Sequence, residues 1–124
     1  MTGLLHITLA TADVHKTRDF YTQALGWEPI ERPGNIDREA AWLRIAPGQE
    51  LHLVAVEGFQ ASRFEDEFGR HAAIEFPLEG FAELQARLLR LGGELIAPQR
   101  ETPFERFFFR DPNGYVFEVV AARS

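Results

Sequence analysis

Leu25-Gly26-Trp27-Glu28 and Leu91-Gly92-Gly93-Glu94 are one short stretch written twice, 66 residues apart. The same offset carries Trp42-Leu43-Arg44 and Gly48 onto Phe108-Phe109-Arg110 and Gly114. It also carries His52 onto Glu118. His6 falls on His71 at an offset of 65, so one residue slips within the first turn or helix. Residues 6–54 and 71–120 therefore read as two copies of one unit, aligned on the side chains best able to bind a metal. A pseudo-twofold fold is expected to bring these two pairs around one centre.

Each copy reads βαβββ. In the first, Leu4 to Ala10 is a strand, Thr11-Ala12-Asp13 offers capping oxygens, and Val14, Phe20, Tyr21, Ala24 and Leu25 form a helical stripe closed by Gly26. Trp27 to Glu31 reads as a short strand, broken by Pro33-Gly34-Asn35. Ala40 to Ala46 and Glu50 to Val56 form a hairpin through Pro47-Gly48. The order restarts with a strand from His71 to Phe76 and a helix from Gly80 to Leu91, its stripe being Phe81, Leu84, Leu88 and Leu91. A short strand follows at Glu94 to Ile96. Phe104 to Arg110 and Tyr115 to Ala121 then flank Asp111-Pro112-Asn113-Gly114, the strongest hairpin signal in the chain. The predicted class is α+β, one domain over 1–124, with module one at 1–57, a polar linker at 58–69 and module two at 70–124. One helix on four strands is a small core, and pairing two modules enlarges it.

Composition narrows the chemistry. At 124 residues, 45% hydrophobic and 26% charged, this is an ordinary globular chain. It contains no cysteine, so disulfides and thiolate ligands are excluded, and a transition-metal site must use histidine and carboxylate. A net charge of −6 disfavours nucleic acid. No apolar run approaches the roughly 20 residues of a membrane span. Met-Thr-Gly-Leu-Leu-His lacks the basic region of a signal peptide, so a cytoplasmic location is the default expectation.

Strand alternation places His6 with Thr8 and Ala10, opposite Leu5, Ile7 and Leu9. His52 points away from Leu51 and Leu53, and His71 shares a face with Ala73 and Glu75. Glu118 lies with Val116 and Val120. In each strand the greasier face suits a helix, leaving the polar face to line a cavity. Burying Glu118 between valines without a partner is costly, and a cation removes that cost. A lone strand histidine is ordinarily a hydrogen-bonded core or surface residue; four candidates at matched positions make a stronger case for a metal. His15, beside Lys16, reads as a solvated helix residue.

His6-Ile7-Thr8 with Asp13, Phe20-Tyr21, Leu25-Gly26, Glu50-Leu51-His52-Leu53, His71, Leu91-Gly92-Gly93, and Phe109-Arg110-Asp111-Pro112-Asn113-Gly114-Tyr115 with Glu118 resemble the vicinal oxygen chelate superfamily of glyoxalases, bleomycin-resistance proteins and extradiol dioxygenases. The resemblance covers nearly the whole chain. It implies two βαβββ modules whose mixed sheet curves around one divalent metal, be it Zn, Ni, Fe, Mn or Co. It also implies His6, His52, His71 and Glu118 as ligands, a small oxygenated substrate, and a homodimer.

The reaction stays open between several members. A glyoxalase-like lyase or isomerase would use the metal as a Lewis acid to stabilise an enolate-like anion. Typical glyoxalase I members carry glutamate where this chain has His52, which weakens that specific activity. Extradiol dioxygenases need two histidines and one carboxylate on iron, which His6, His71 and Glu118 supply, though His52 would fill an open position. Fosfomycin-resistance enzymes use a similar set, but no clear phosphonate loop stands out here. Bleomycin-resistance proteins bind a drug without catalysis and generally lack the ligands.

Glu118, Glu50 and Glu75 are the candidate catalytic carboxylates; the last two serve either as bases or as rim charges. Arg44 and Arg110 are symmetry mates. Arg110 either anchors a substrate carboxylate or pairs with nearby acids. Trp42 and Phe108 are candidate cavity walls.

Overall fold

The computed structural model describes residues 1–31 and 38–122, so the Pro33-Gly34-Asn35 break lies outside the described residues. The chain divides into two compact units, Met1–Gln60 and Ala61–Ser124. The architecture is α+β, one βαβββ module in each unit.

The first unit runs β1 (His6–Thr11), α1 (Val14–Leu25), β2 (Glu28–Ile30), β3 (Ala40–Ala46) and β4 (Gln49–Ala55). Its sheet has the order β1-β4-β3-β2, with β1 parallel to β4 and the other pairs antiparallel. The helix starts where Asp13 accepts a hydrogen bond from the Lys16 amide at 3.1 Å. It stops at Gly26, whose φ of 73° is the left-handed turn that glycine tolerates without strain. Val14, Thr17, Phe20, Tyr21 and Ala24 form its buried face. Leu9, Leu43, Leu51 and Leu53 are buried on one face of the sheet. Each such leucine contributes roughly 1.5–3 kcal/mol over its exposed state.

The second unit runs β5 (Ala72–Phe76), a single 3-10 turn (Leu78–Gly80), α2 (Phe81–Arg90), β6 (Glu94–Ile96), β7 (Arg106–Arg110) and β8 (Val116–Ala121). The order β5-β8-β7-β6 repeats the first sheet, again with one parallel pair, β5 and β8. Leu84 and Leu88 of α2 are fully buried, as are Phe109 and Val119. Phe81 meets Phe107 edge-on, ring centroids 5.0 Å apart. In the hairpin turn the Asp111 carboxylate accepts from the amides of Asn113 and Tyr115, at 2.9 and 3.0 Å.

Two differences from the sequence reading have physical causes. His71 stands just before β5 rather than in it: the ladder with β8 begins at Ala72, and Nδ1 of the His71 ring is 3.1 Å from the Asp66 carbonyl. The acidic stretch expected to be a polar connection also carries buried carboxylates. Glu65 is 2% exposed, accepts from the Val116 amide at 3.0 Å, and pairs with Arg70 at 2.9 Å.

Candidate metal centre

The strand register gathers the candidate side chains of each unit on the sheet face away from the leucines. In the first unit His6 stands opposite Glu50, Thr8 opposite His52, and Trp42 opposite His52. Three rings stack there. Trp42 and His52 lie 3.7 Å apart at 7°, and His52 and His6 lie 4.0 Å apart at 18°. His52 is buried, His6 is exposed, and His52 Nε2 meets Glu50 Oε1 at 2.8 Å. Its Nε2 is thus already engaged: to serve a metal, His52 must use Nδ1 or release Glu50. Arg44 is exposed, standing opposite Glu50 on β4 and Glu28 on β2.

The second unit arranges its pair differently. His71 Nε2 lies 3.2 Å from Glu118 Oε1. The Asp66 carbonyl can only accept, so His71 Nδ1 carries the ring proton and donates to it. In the neutral ring Nε2 is then a lone pair facing a carboxylate oxygen. Two acceptors so close require a cation between or beside them, either a second ring proton or a metal. A ring N–H anchored on a backbone carbonyl is also the usual arrangement behind a metal-ligating histidine. The donor chemistry of this pair therefore fits a divalent metal.

Glu118 does not lack a protein partner. Arg106, a residue the sequence reading passed over, places Nη1 3.1 Å from Glu118 Oε2 and Nη2 3.0 Å from Glu67 Oε2. Its side chain is only 3% exposed. Burial works against the guanidinium charge, but hydrogen bonds to Glu118 and Glu67 more than offset it, raising its pKa above the ordinary arginine value. Glu67 in turn accepts from the amides of Gln99 and Arg100; with Arg106 these hold its carboxyl below the usual range, the Gln99 bond foremost. The burial of Glu118 is thus partly compensated by arginine, so burial alone is no argument for a metal. One signal was available: Arg106 alternates with Phe108 on β7, and Phe108 stands opposite Glu118.

The remaining candidates are placed as follows. Phe108 is 1% exposed, edge-on to the His71 ring at 5.2 Å and beneath the Arg106 guanidinium. It packs the pair from behind. Arg110 gives Nη1 to the carbonyls of Gly114 and Glu65, at 3.1 and 3.2 Å, and Nε lies 3.4 Å from Glu94. A substrate carboxylate would compete with these contacts. Glu75 is exposed, opposite Val120. Among the described residues no group of three or more ligand-type side chains is gathered within metal-binding reach, and each unit supplies a pair.

Two sheets of like order, each presenting such a pair from one face, define a class of duplicated βαβββ proteins. The chain belongs to the Glyoxalase/Bleomycin resistance protein/Dioxygenase superfamily, whose family model matches residues 3–119. It is 27% identical to "Glyoxylase I 4" of Arabidopsis thaliana, over all of this chain and 73% of that protein. It is 25% identical to a lactoylglutathione lyase of Neisseria meningitidis, over 98% of this chain and 91% of the relative. Among solved structures it resembles the genomically encoded fosfomycin resistance protein FosX of Listeria monocytogenes. In one crystal form of FosX the TM-score is 0.78 at 25% identity, covering 99% of this chain and 93% of that one. A FosX variant solved with Mn(II) and 1S,2S-dihydroxypropylphosphonic acid gives a TM-score of 0.81 at 23% identity, covering 99% and 94%. Among the described residues no helix is long and apolar enough to cross a membrane.

Proposed function

We propose that the protein is a metal-dependent, glyoxalase-like enzyme of the lyase or isomerase type acting on a small oxygenated substrate. The proposed ligands are His6, His52, His71 and Glu118. The observation that carries the reading is the approach of His71 Nε2 to Glu118 Oε1, 3.2 Å apart, with Nδ1 of the same ring 3.1 Å from the Asp66 carbonyl. When bound, a divalent metal supplies Lewis-acid stabilisation of negative charge on substrate oxygens. Asp66 fixes the tautomer of His71. Phe108 excludes water behind the pair. Glu50 is the candidate base: Oε1 holds or takes a proton, and His52 Nε2 at 2.8 Å can share it. Glu75 is a second, exposed carboxylate for that role. Arg44 and Trp42 are proposed to meet the substrate from the same sheet face. The glyoxalase and lyase names among its relatives support the reaction type. A homodimer in the cytoplasm goes with this reading, and light scattering on purified protein tests the dimer.

The deciding experiment is metal analysis of natively purified protein, followed by turnover assays. About one divalent ion per chain with turnover of methylglyoxal–glutathione supports the lyase. Oxygen uptake with catechols under iron(II) would replace it with the dioxygenase, and loss of fosfomycin would replace it with a resistance enzyme. Absence of metal uptake would leave a small-molecule binding protein.

A further inference from the structure

The repeat offers an internal control for Arg106. Its counterpart at the 66-residue offset is Ala40. The backbone places the two alike, Ala40 opposite Val54 on β4 and Arg106 opposite Val120 on β8. The side chain each could reach differs. In the first unit the position matching Glu118 is His52, whose ring already has a carboxylate partner in Glu50. In the second unit it is a buried carboxylate, and there an arginine appears. The arginine is held firmly: both terminal nitrogens are bonded, Nη2 also reaches the Arg100 carbonyl, and the guanidinium covers the Phe108 ring at 5.2 Å. Its Nε is nevertheless buried with no partner among the described residues. Simple core filling does not call for a charged fork between two carboxylates.

We propose that Arg106 is a positioning residue for the metal ligand Glu118, with Glu67 as its counter-charge; this rests on the metal-enzyme reading above. Arg106 holds Oε2, so that Oε1 alone is presented beside His71 Nε2. Glu67 neutralises the guanidinium, which would otherwise repel a cation brought to the neighbouring oxygen. Because Glu67 also binds the amides of Gln99 and Arg100, the segment leading into β7 shares in setting the ligand's position.

The test is Mn(II) titration of the full chain by calorimetry, with the visible spectrum of the Co(II)-loaded protein as a report on coordination. The sign of one result separates positioning from charge. Arg106→Met removes a positive charge, which by charge alone would tighten Mn(II) binding. Loss of positioning weakens it instead, by about tenfold or more, and shifts the Co(II) bands. Arg106→Lys keeps the charge and one bond, and should recover much of the affinity. Glu67→Gln leaves the Arg106–Glu118 pair in place but removes one of the two oxygens that accept from Arg106 and the Gln99 and Arg100 amides, and should weaken Mn(II) binding. Unchanged or tighter Mn(II) binding with unshifted bands in folded Arg106→Met overturns the inference. If that variant does not fold, wild-type affinity in Glu67→Gln overturns it. Wild-type protein that takes up neither ion brings down the metal reading and this inference together, whereas wild-type uptake with insensitive variants removes the inference alone.

Discussion

The two halves share a sheet order and a register but hold their candidate ligands by different forces. In the first half an imidazole lies between Trp42 and His6, and its Nε2 rests on Glu50. In the second a carboxylate is gripped by Arg106 and faces Nε2 of His71. The partner of each is specific to its half, for Glu50 corresponds to Val116 and Arg106 to Ala40. The imidazole is held by stacking and one hydrogen bond, whereas the buried carboxylate has a counter-charge and a counter-charge for that. The lesson is that a single exchange between two equivalent positions, histidine for glutamate, requires a different set of neighbours.

The largest expected effect comes from removing the charge in the second half. Glu118→Ala takes from the buried Arg106 one of its two carboxylate partners and should cost about 3 kcal/mol of stability while abolishing metal binding. His6→Ala, at an exposed position of the first half, should lose metal affinity with stability changed by no more than about 1 kcal/mol, the size of its stack on His52. Thermal melting and metal titration on both variants check the contrast, and equal melting temperatures would break it. Next is Gly69→Ala. An added Cβ would fall 1.7 Å from the Phe64 carbonyl oxygen, in the loop that carries Glu65, Asp66 and Glu67. We expect a loss of about 2 kcal/mol by chemical denaturation. In the first half, Trp42→Leu keeps apolar bulk but loses the stack on His52, worth about 1 kcal/mol beyond area. Near-ultraviolet circular dichroism should report the lost stack.

The smallest effect is a pH dependence confined to the second half. The Glu67 carboxyl is held below its ordinary value of 4.5, mainly by the Gln99 amide. A depressed folded-state pKa gives stability that is present above the ordinary value and lost as pH falls through the lower one. Wild-type protein should therefore melt above Glu67→Gln at neutral pH, and the gap should close in acid below 4.5. A gap that persists or widens in acid would assign the difference to something other than the Glu67 charge.

Most of the fold was legible because hydrophobic alternation and turn chemistry are local. Gly26, Pro47-Gly48 and Asp111-Pro112-Asn113-Gly114 mark boundaries that the strands and helices observe within a residue or two. The faces carrying His6 and His52 followed from period two, because leucines made the opposite faces plain; for Glu118 the opposite face was marked by Phe117 and Val119. The charge network was not legible in the same way. Glu65 and Glu67 sit in a stretch whose composition resembles a solvated connection, and only the folded chain brings them onto Val116 and Arg106. Arg110, whose repeat mate and turn position made it conspicuous, is occupied by carbonyls that no pattern announces. Side-chain partners distant in sequence depend on packing, and packing leaves little trace in periodicity.

The matched register has one more consequence. His52 stands opposite Trp42 as Glu118 stands opposite Phe108, each with its parallel edge strand on the other side. Backbone ladders are indifferent to whether imidazole or carboxylate projects from that rung. A lineage built on this scaffold can therefore alter the formal charge at either rung in steps of one without redrawing a hydrogen bond of the sheet.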